Sequence, residues 1–113
     1  MILYHNPRCK KSRETLTLLQ EKGHIPEVRL YLQDVPTQKE LREVIALLDI
    51  AQEDLVRKTE SIYKEELKGK KLTDTQWIKA MVDHPRLIQR PILIAGKKAA
   101  IGRPPESVLD IIN

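Results

Sequence analysis

The chain contains one cysteine, Cys9, and cations stand on both sides of it. Arg8 precedes Cys9, and Lys10 and Lys11 follow it, at the point where a short apolar run gives way to a helical pattern. The N-terminus of a helix presents unsatisfied N–H groups and about half a positive charge, and both favour an anion such as a thiolate. We therefore expect the pKa of Cys9 to lie below the value of about 8.5 for a free thiol, and we interpret Cys9 as a nucleophile.

Two more side chains near Cys9 could support an ionised sulfur. Ser12, three residues further on, could direct its hydroxyl at the sulfur, and His5 would add positive charge if it were protonated. The alternative is that Cys9 is a buried, inert thiol beside a solvated lysine surface. Core cysteines usually have apolar neighbours, so the flanking cations favour the reactive thiol.

Three arginines form a second candidate group. Arg57 follows an apolar pair, Arg90 precedes Pro91, and Arg103 stands between Gly102 and a proline. A tetrahedral oxyanion is best held by planar cations with several donors, which arginine provides and lysine does not. For each arginine taken alone, a surface ion pair is the more common role. Convergence of the three on Cys9 would indicate an oxyanion site.

Composition sets limits on the other functions. The net charge of +4 and pI near 9.3 favour anionic partners in general. We expect no direct nucleic-acid binding, since the chain has one Trp, no Phe and no reading motif. Its three scattered histidines and single cysteine predict no metal site and no bound cofactor. The chain shows no membrane span or signal peptide, so the predicted compartment is the cytoplasm.

The element pattern predicts an α/β fold in a single domain, 1–113. Met1 to His5 and Pro26 to Leu32 are predicted strands, with a helix between them that starts near Cys9. A hairpin at 91–101 and a last helix at 105–112 close the chain. The order βαβ, then ββα, is the thioredoxin topology with a mixed four-stranded sheet, interrupted by a helical insertion at about 37–84. That insertion opens with a predicted capping box, Thr37 with Glu40.

Four blocks of the chain resemble the glutaredoxin-coupled arsenate reductases. The match covers nearly the whole length and comprises Tyr4–Arg13, Leu55–Lys58, His84–Ile92 and Gly102–Glu106, in the family's order. The resemblance implies that Cys9 attacks the arsenic of arsenate, while His5 and Ser12 help keep the sulfur ionised. It also implies that Arg57, Arg90 and Arg103 hold the oxyanion.

The resemblance implies further that glutathione is the co-substrate and that glutaredoxin completes the reduction to arsenite. The single cysteine suits this scheme, because a second thiol must come from outside the chain. Asn6 and Pro91 are expected to be structural residues near the site. Only about 5–6% of X–Pro bonds in folded proteins are cis, but the family carries a cis proline at the position of Pro91. Members that confer arsenate resistance tend to have small residues beside the cysteine, where this chain has cations.

A second hypothesis is a binding module. A similar fold serves Spx-like bacterial transcription regulators that bind RNA polymerase and sense redox state through a Cys-x-x-Cys pair. In this chain Ser12 occupies the second position of that pair. A redox regulator, or a protein-binding module with a vestigial oxyanion site, therefore remains the alternative.

Overall fold

The computed structural model describes residues 1–112, which divide into two compact units. The first unit comprises Met1–Asp34 and the segment from Arg90 onward, and the second comprises Val35–Gln89. The insertion predicted at about 37–84 falls within the second unit. The assignment of the whole chain to a single domain stays a prediction.

The first unit contains the predicted mixed four-stranded sheet. Its strands are β1 (Ile2–Tyr4), β2 (Glu27–Arg29), β3 (Ile92–Ala95) and β4 (Lys98–Ile101), in the spatial order β2-β1-β3-β4. β1 runs parallel to β2 and antiparallel to β3, and β3 pairs antiparallel with β4. The predicted order of elements, βαβ followed by ββα, is confirmed for this unit.

One helix and one small core stabilise the sheet. Helix α1 (Lys10–Glu21) lies between β1 and β2 in the chain. The fully buried side chains of Leu3, Leu19, Leu93 and Val108 form a cluster, and so remove apolar surface from water. Leu19 joins this cluster from the C-terminal half of α1.

Two elements of this unit differ from the prediction. The second strand was expected over Pro26 to Leu32 but ends at Arg29, because the chain turns there and the Asp34 N–H donates to the Leu30 carbonyl at 2.8 Å. The last helix is a 3₁₀ helix, Pro105–Ile111. The Ser107 N–H donates to the Pro104 carbonyl at 3.0 Å, an i→i+3 hydrogen bond that is characteristic of this tighter helix.

Helices make up most of the second unit. Helix α2 (Gln38–Leu48) starts with the predicted capping box, in which the Thr37 hydroxyl accepts from the Glu40 N–H at 3.1 Å and the Glu40 carboxylate accepts from the Thr37 N–H. Helix α3 (Asp74–Asp83) begins with an equivalent box at Thr73 and Gln76. Shorter turns lie at Gln52–Leu55 and Pro85–Leu87 (3₁₀) and at Tyr63–Leu67 (π). The buried face of this unit includes Leu41, Ile45, Leu55, Trp77, Ile78, Met81 and Leu87.

The strand register brings three distant segments to one edge of the sheet. Tyr4, the last residue of β1, pairs with Ile92 at the start of β3, and Ile92 pairs with Ile101 at the end of β4. The residues that follow β1, precede β3 and follow β4 therefore lie together. Within residues 1–112, no helix is both long and apolar enough to cross a membrane.

Candidate active site

Cys9 is the N-cap of α1, at the edge of the sheet where β1 ends. Its N–H donates to the Asn6 carbonyl at 3.0 Å, and its carbonyl accepts the first helical hydrogen bond, from the Arg13 N–H, at 3.0 Å. The residue is buried, with 8% of its surface exposed. The sequence placed Cys9 at the start of a helix, and the structure has it there.

The loop before Cys9 is held by hydrogen bonds from residues on both sides. The Asn6 side-chain oxygen accepts from the Arg8 N–H at 3.0 Å, and the Asn6 N–H donates to the Ser12 hydroxyl at 3.0 Å. Arg13 contributes a third contact, from its guanidinium to the Pro7 carbonyl at 3.0 Å. These contacts fix the backbone of the loop that leads into Cys9.

His5 and Ser12 form a buried pair, and this changes two expectations. The His5 Nδ1 lies 2.6 Å from the Ser12 Oγ. Burial, and then the charge of Arg13, lower the pKa of His5 below its ordinary 6.5, so His5 is neutral at pH 7. His5 therefore adds no positive charge beside the sulfur. The Ser12 hydroxyl, expected to face the sulfur, is engaged with His5 and Asn6.

Arg90 and Arg103 both lie at the site. The Arg103 Nη2 is 3.7 Å from the Cys9 Sγ, and its Nε donates to the Arg90 carbonyl at 2.8 Å. The Gly102 N–H donates to the neighbouring Pro91 carbonyl at 2.9 Å. The Arg90–Pro91 peptide bond is cis, as is the bond from Arg103 to Pro104. The segments before β3 and after β4 are thus joined beside the sulfur.

The surroundings of Cys9 favour its ionised form. Burial by itself raises the pKa of the thiol, but opposing contributions outweigh burial and the net pKa is lowered. These contributions are, in descending order, the Ser12 N–H, the charge of Arg90, the Lys11 N–H and the charge of Arg103. A thiolate so held can attack an electrophile, and the guanidinium beside it can receive an anion.

The source of positive charge differs from the one expected. The sequence indicated the cations that flank Cys9, but the charges that act on the sulfur come from Arg90 and Arg103. Lys10 and Lys11 point to Glu14, at 3.9 Å and 3.8 Å. The side chains of both lysines are well exposed, and water screens such charges.

Arg57 lies in the second unit and has other contacts there. Its Nη1 donates to the Arg86 carbonyl at 3.3 Å, and its Nη2 lies 3.8 Å from a Glu60 carboxylate oxygen. The Arg57 N–H also donates to the Leu87 carbonyl at 2.7 Å. The role of Arg57 in holding an oxyanion stays a prediction.

Sequence reasoning missed one residue that organises the site. Arg13 both holds the Pro7 carbonyl and lowers the pKa of His5. Its position four residues after Cys9, one helical turn on, was the available signal. Among residues 1–112, no group of three or more His, Cys, Asp or Glu side chains is arranged to hold a metal ion.

The match to a family model decides the classification. Residues 4–111 match the model described as the ArsC family. The chain belongs to the ArsC family. Because the match begins at Tyr4 and ends at Ile111, it includes every residue of the site described above.

Two curated relatives and one solved structure align with this chain over nearly their full length. An arsenate reductase of Haemophilus influenzae is 45% identical over 114 residues, which is 99% of this chain and 98% of the relative. Uncharacterized protein YfgD of Escherichia coli K12 is 49% identical over 113 residues, covering 98% and 95%. The structure of an arsenate reductase from Vibrio cholerae superposes with a TM-score of 0.93 at 43% identity, covering 97% and 95%. The predicted thioredoxin-like fold is thereby confirmed.

Replacing Arg103 should raise the pKa of Cys9. In Arg103→Gln the guanidinium next to the sulfur is lost while the side chain keeps polar character, so the thiolate is less favoured. We expect alkylation of Cys9 by iodoacetamide, measured at pH 6.5, to slow by at least about threefold, since a nearby opposite charge shifts a pKa by about one unit or more. Lys10→Gln, which removes an exposed cation, is the matched control. An equal slowing in both variants would contradict a specific role of Arg103.

Proposed function

We propose that this ArsC-family chain is an oxidoreductase that reduces arsenate to arsenite, with Cys9 as the nucleophile. The observation that carries the proposal is the Arg103 guanidinium 3.7 Å from the sulfur of a buried cysteine whose pKa is lowered. A cation in contact with a thiolate serves two purposes in such chemistry. It stabilises the nucleophile before the reaction, and it offers donors to the oxygens of an incoming tetrahedral anion.

The first step we propose is an attack of the Cys9 thiolate on arsenic. A sulfur–arsenic bond forms, an arsenic–oxygen bond breaks, and the departing oxygen leaves as water after protonation. Arsenic remains pentavalent, and the backbone N–H groups of Ser12 and Lys11 lose the anion that they had faced. Arg90 and Arg103 retain their charge and hold the remaining oxygens of the adduct.

The reduction itself needs two electrons from outside the chain. Two external thiols become one disulfide as arsenic goes from the pentavalent to the trivalent state. Water then cleaves the bond between the Cys9 sulfur and arsenic, which releases arsenite and restores the Cys9 thiolate. The chain has no second cysteine that could serve as a resolving thiol. We propose glutathione for the first external thiol and glutaredoxin for the step that completes the reduction, with no bound cofactor, in the cytoplasm.

The exposed cations near Cys9 favour an anionic thiol such as glutathione. Arg8, Lys10 and Lys11 are all exposed, and Glu14 is the carboxylate with which both lysines pair. Ion pairs between exposed side chains contribute little stability, so these cations remain available to carboxylates in solution. Glutathione carries two carboxylates, and a complementary surface charge raises the rate of its encounter with Cys9.

The Spx-like alternative is less well supported by the site. In a Cys-x-x-Cys switch the second sulfur would stand at position 12, where Ser12 instead contacts His5 and the Asn6 N–H. A serine there cannot form a disulfide with Cys9. A vestigial site would also have no need of a guanidinium held against the sulfur by a backbone carbonyl.

A coupled assay tests the proposed reaction. Purified protein is mixed with arsenate, glutathione, glutaredoxin, glutathione reductase and NADPH, and we expect arsenate-dependent oxidation of NADPH. Cys9→Ser should reduce the rate by at least about a hundredfold, because a serine hydroxyl does not ionise at neutral pH. Thr17→Ala, an exposed change on the same helix, is the control and should retain full activity.

Two outcomes would separate the parts of the proposal. An absence of Cys9-dependent NADPH oxidation would contradict arsenate reduction. Equal turnover after glutathione and glutaredoxin are replaced by thioredoxin and thioredoxin reductase would contradict the choice of reductant while leaving the reaction itself in place.

Reversing the charge of Lys10 should discriminate between thiols. We expect Lys10→Glu to lower kcat/KM for glutathione by at least about threefold while changing the rate with 2-mercaptoethanol, a neutral thiol, by less than about twofold. Lys97→Glu is the matched control, because Lys97 lies in the β3–β4 turn at the opposite end of the sheet from Cys9. Equal losses with both thiols would show that Lys10 acts on Cys9 itself and would argue against attraction of an anionic co-substrate.

A further inference from the structure

Gly102 lies immediately before the arginine that contacts the sulfur, and it is tightly packed. A Cβ built at this position would lie 2.5 Å from the Thr15 Oγ1, 3.2 Å from the Thr15 Cγ2 and 2.8 Å from the Pro91 Cγ. Distances below about 3 Å from a Cβ to a heavy atom are not tolerated, so a side chain at position 102 would force either Thr15, Pro91 or the backbone at 102 to move. The backbone of Gly102 lies outside the left-handed region. Glycine is therefore required here because there is no room for a Cβ, and not because of the backbone conformation.

Neither neighbour can easily make room for a methyl group. Thr15 is fully buried within α1, and its hydroxyl donates to the Lys11 carbonyl at 2.8 Å, which fixes the side chain. Pro91 is a buried ring whose carbonyl accepts the Gly102 N–H at 2.9 Å. Packed interiors relax only partly around an added carbon, so the chain at 102 is the part that must move.

Such a movement would reach the sulfur through Arg103. The Arg103 Nε is held by the Arg90 carbonyl at 2.8 Å, and its Nη2 lies 3.7 Å from the Cys9 Sγ. Thr15 belongs to the helix whose N-cap is Cys9, so the contact at Gly102 sets the distance between that helix and the arginine segment. A shift of Gly102 away from Thr15 therefore carries the guanidinium away from the sulfur.

We propose that Gly102 is a positioning residue: its missing side chain lets the 102–103 segment lie against Thr15 and Pro91, which places the Arg103 guanidinium on Cys9. The inference rests on the proposed function, in which that guanidinium holds the oxyanion. It adds a residue that acts on the sulfur through Arg103.

Gly102→Ala tests the inference through two readouts on the intact chain. The first is the pH dependence of Cys9 alkylation, and we expect its midpoint to rise. The second is the arsenate concentration that half-protects Cys9 from alkylation, which should increase by at least about threefold, as expected for a weakened charge-assisted contact. An unchanged midpoint with unchanged arsenate protection would overturn the proposal.

Two double variants distinguish a positioning role of Gly102 from a general loss of structure. Thr15→Ala removes two of the three close contacts, so in the Gly102→Ala/Thr15→Ala double variant the midpoint should return part of the way to the wild-type value. In the Arg103→Gln background, Gly102→Ala should move the midpoint much less than in wild type, because its effect passes through Arg103. A full additional shift in that background would contradict the proposal.

Leu19→Ala is the control for lost stability, since it opens the core cluster about ten residues beyond Cys9 along α1. It should lower Tm without moving the midpoint, and an equal rise of the midpoint in this control would overturn the positioning role.

If Gly102→Ala fails to fold, the double variant is compared with Thr15→Ala alone. The remaining overlap with Pro91 should then raise the midpoint, and identical midpoints would overturn the proposal. If arsenate does not protect Cys9 even in the wild-type protein, the proposed function is wrong. The alkylation midpoints still test the positioning role of Gly102 in that case.

Discussion

The site depends on a balance between burial and charge at one sulfur. Burial of Cys9 disfavours the thiolate, whereas two backbone N–H groups and two guanidiniums favour it, and the second set prevails. Neither contribution would suffice for chemistry alone. An exposed thiolate would be hydrated by bulk water and would not be held in one position. A buried thiol without these partners would stay protonated and unreactive.

The fold supplies the opposing contributions from three separate parts of the chain. The N–H groups of Lys11 and Ser12 come from the first turn of α1, which follows β1. Arg90 precedes β3, and Arg103 follows β4. The antiparallel pairing of β3 with both β1 and β4 brings these parts to one edge. Hydrogen bonds from Arg103 and Gly102 to two successive carbonyls then join the two arginine segments directly.

Local features of this arrangement could be predicted from the sequence. The placement of Cys9 at a helix start follows from the change of pattern after His5, and the capping box at Thr37 follows from residue types at fixed spacing. The prediction of a mixed sheet followed from the order of the strands. Each of these depends on residues close together in the chain or on a small set of permitted connections.

Long-range features could not be predicted in the same way. The convergence of Arg90 and Arg103 depends on strand register, which no local spacing encodes. Lys10 and Lys11 were predicted to act on Cys9 because they follow it in the sequence, but their side chains point to Glu14 and into solvent. The Ser12 hydroxyl was expected at the sulfur, although its nearness to His5 across the loop could be known only from the folded backbone.

The most direct test of this account is the ionisation of Cys9 itself. The ultraviolet absorbance of the thiolate is followed against pH in the wild-type protein, with Cys9→Ser subtracted to remove the tyrosines. The account predicts a single transition with a midpoint below the value of about 8.5 for a free thiol, so that the sulfur gains charge earlier than an unperturbed cysteine. A midpoint at or above that value would mean that burial prevails over the surrounding charges, and would contradict the account.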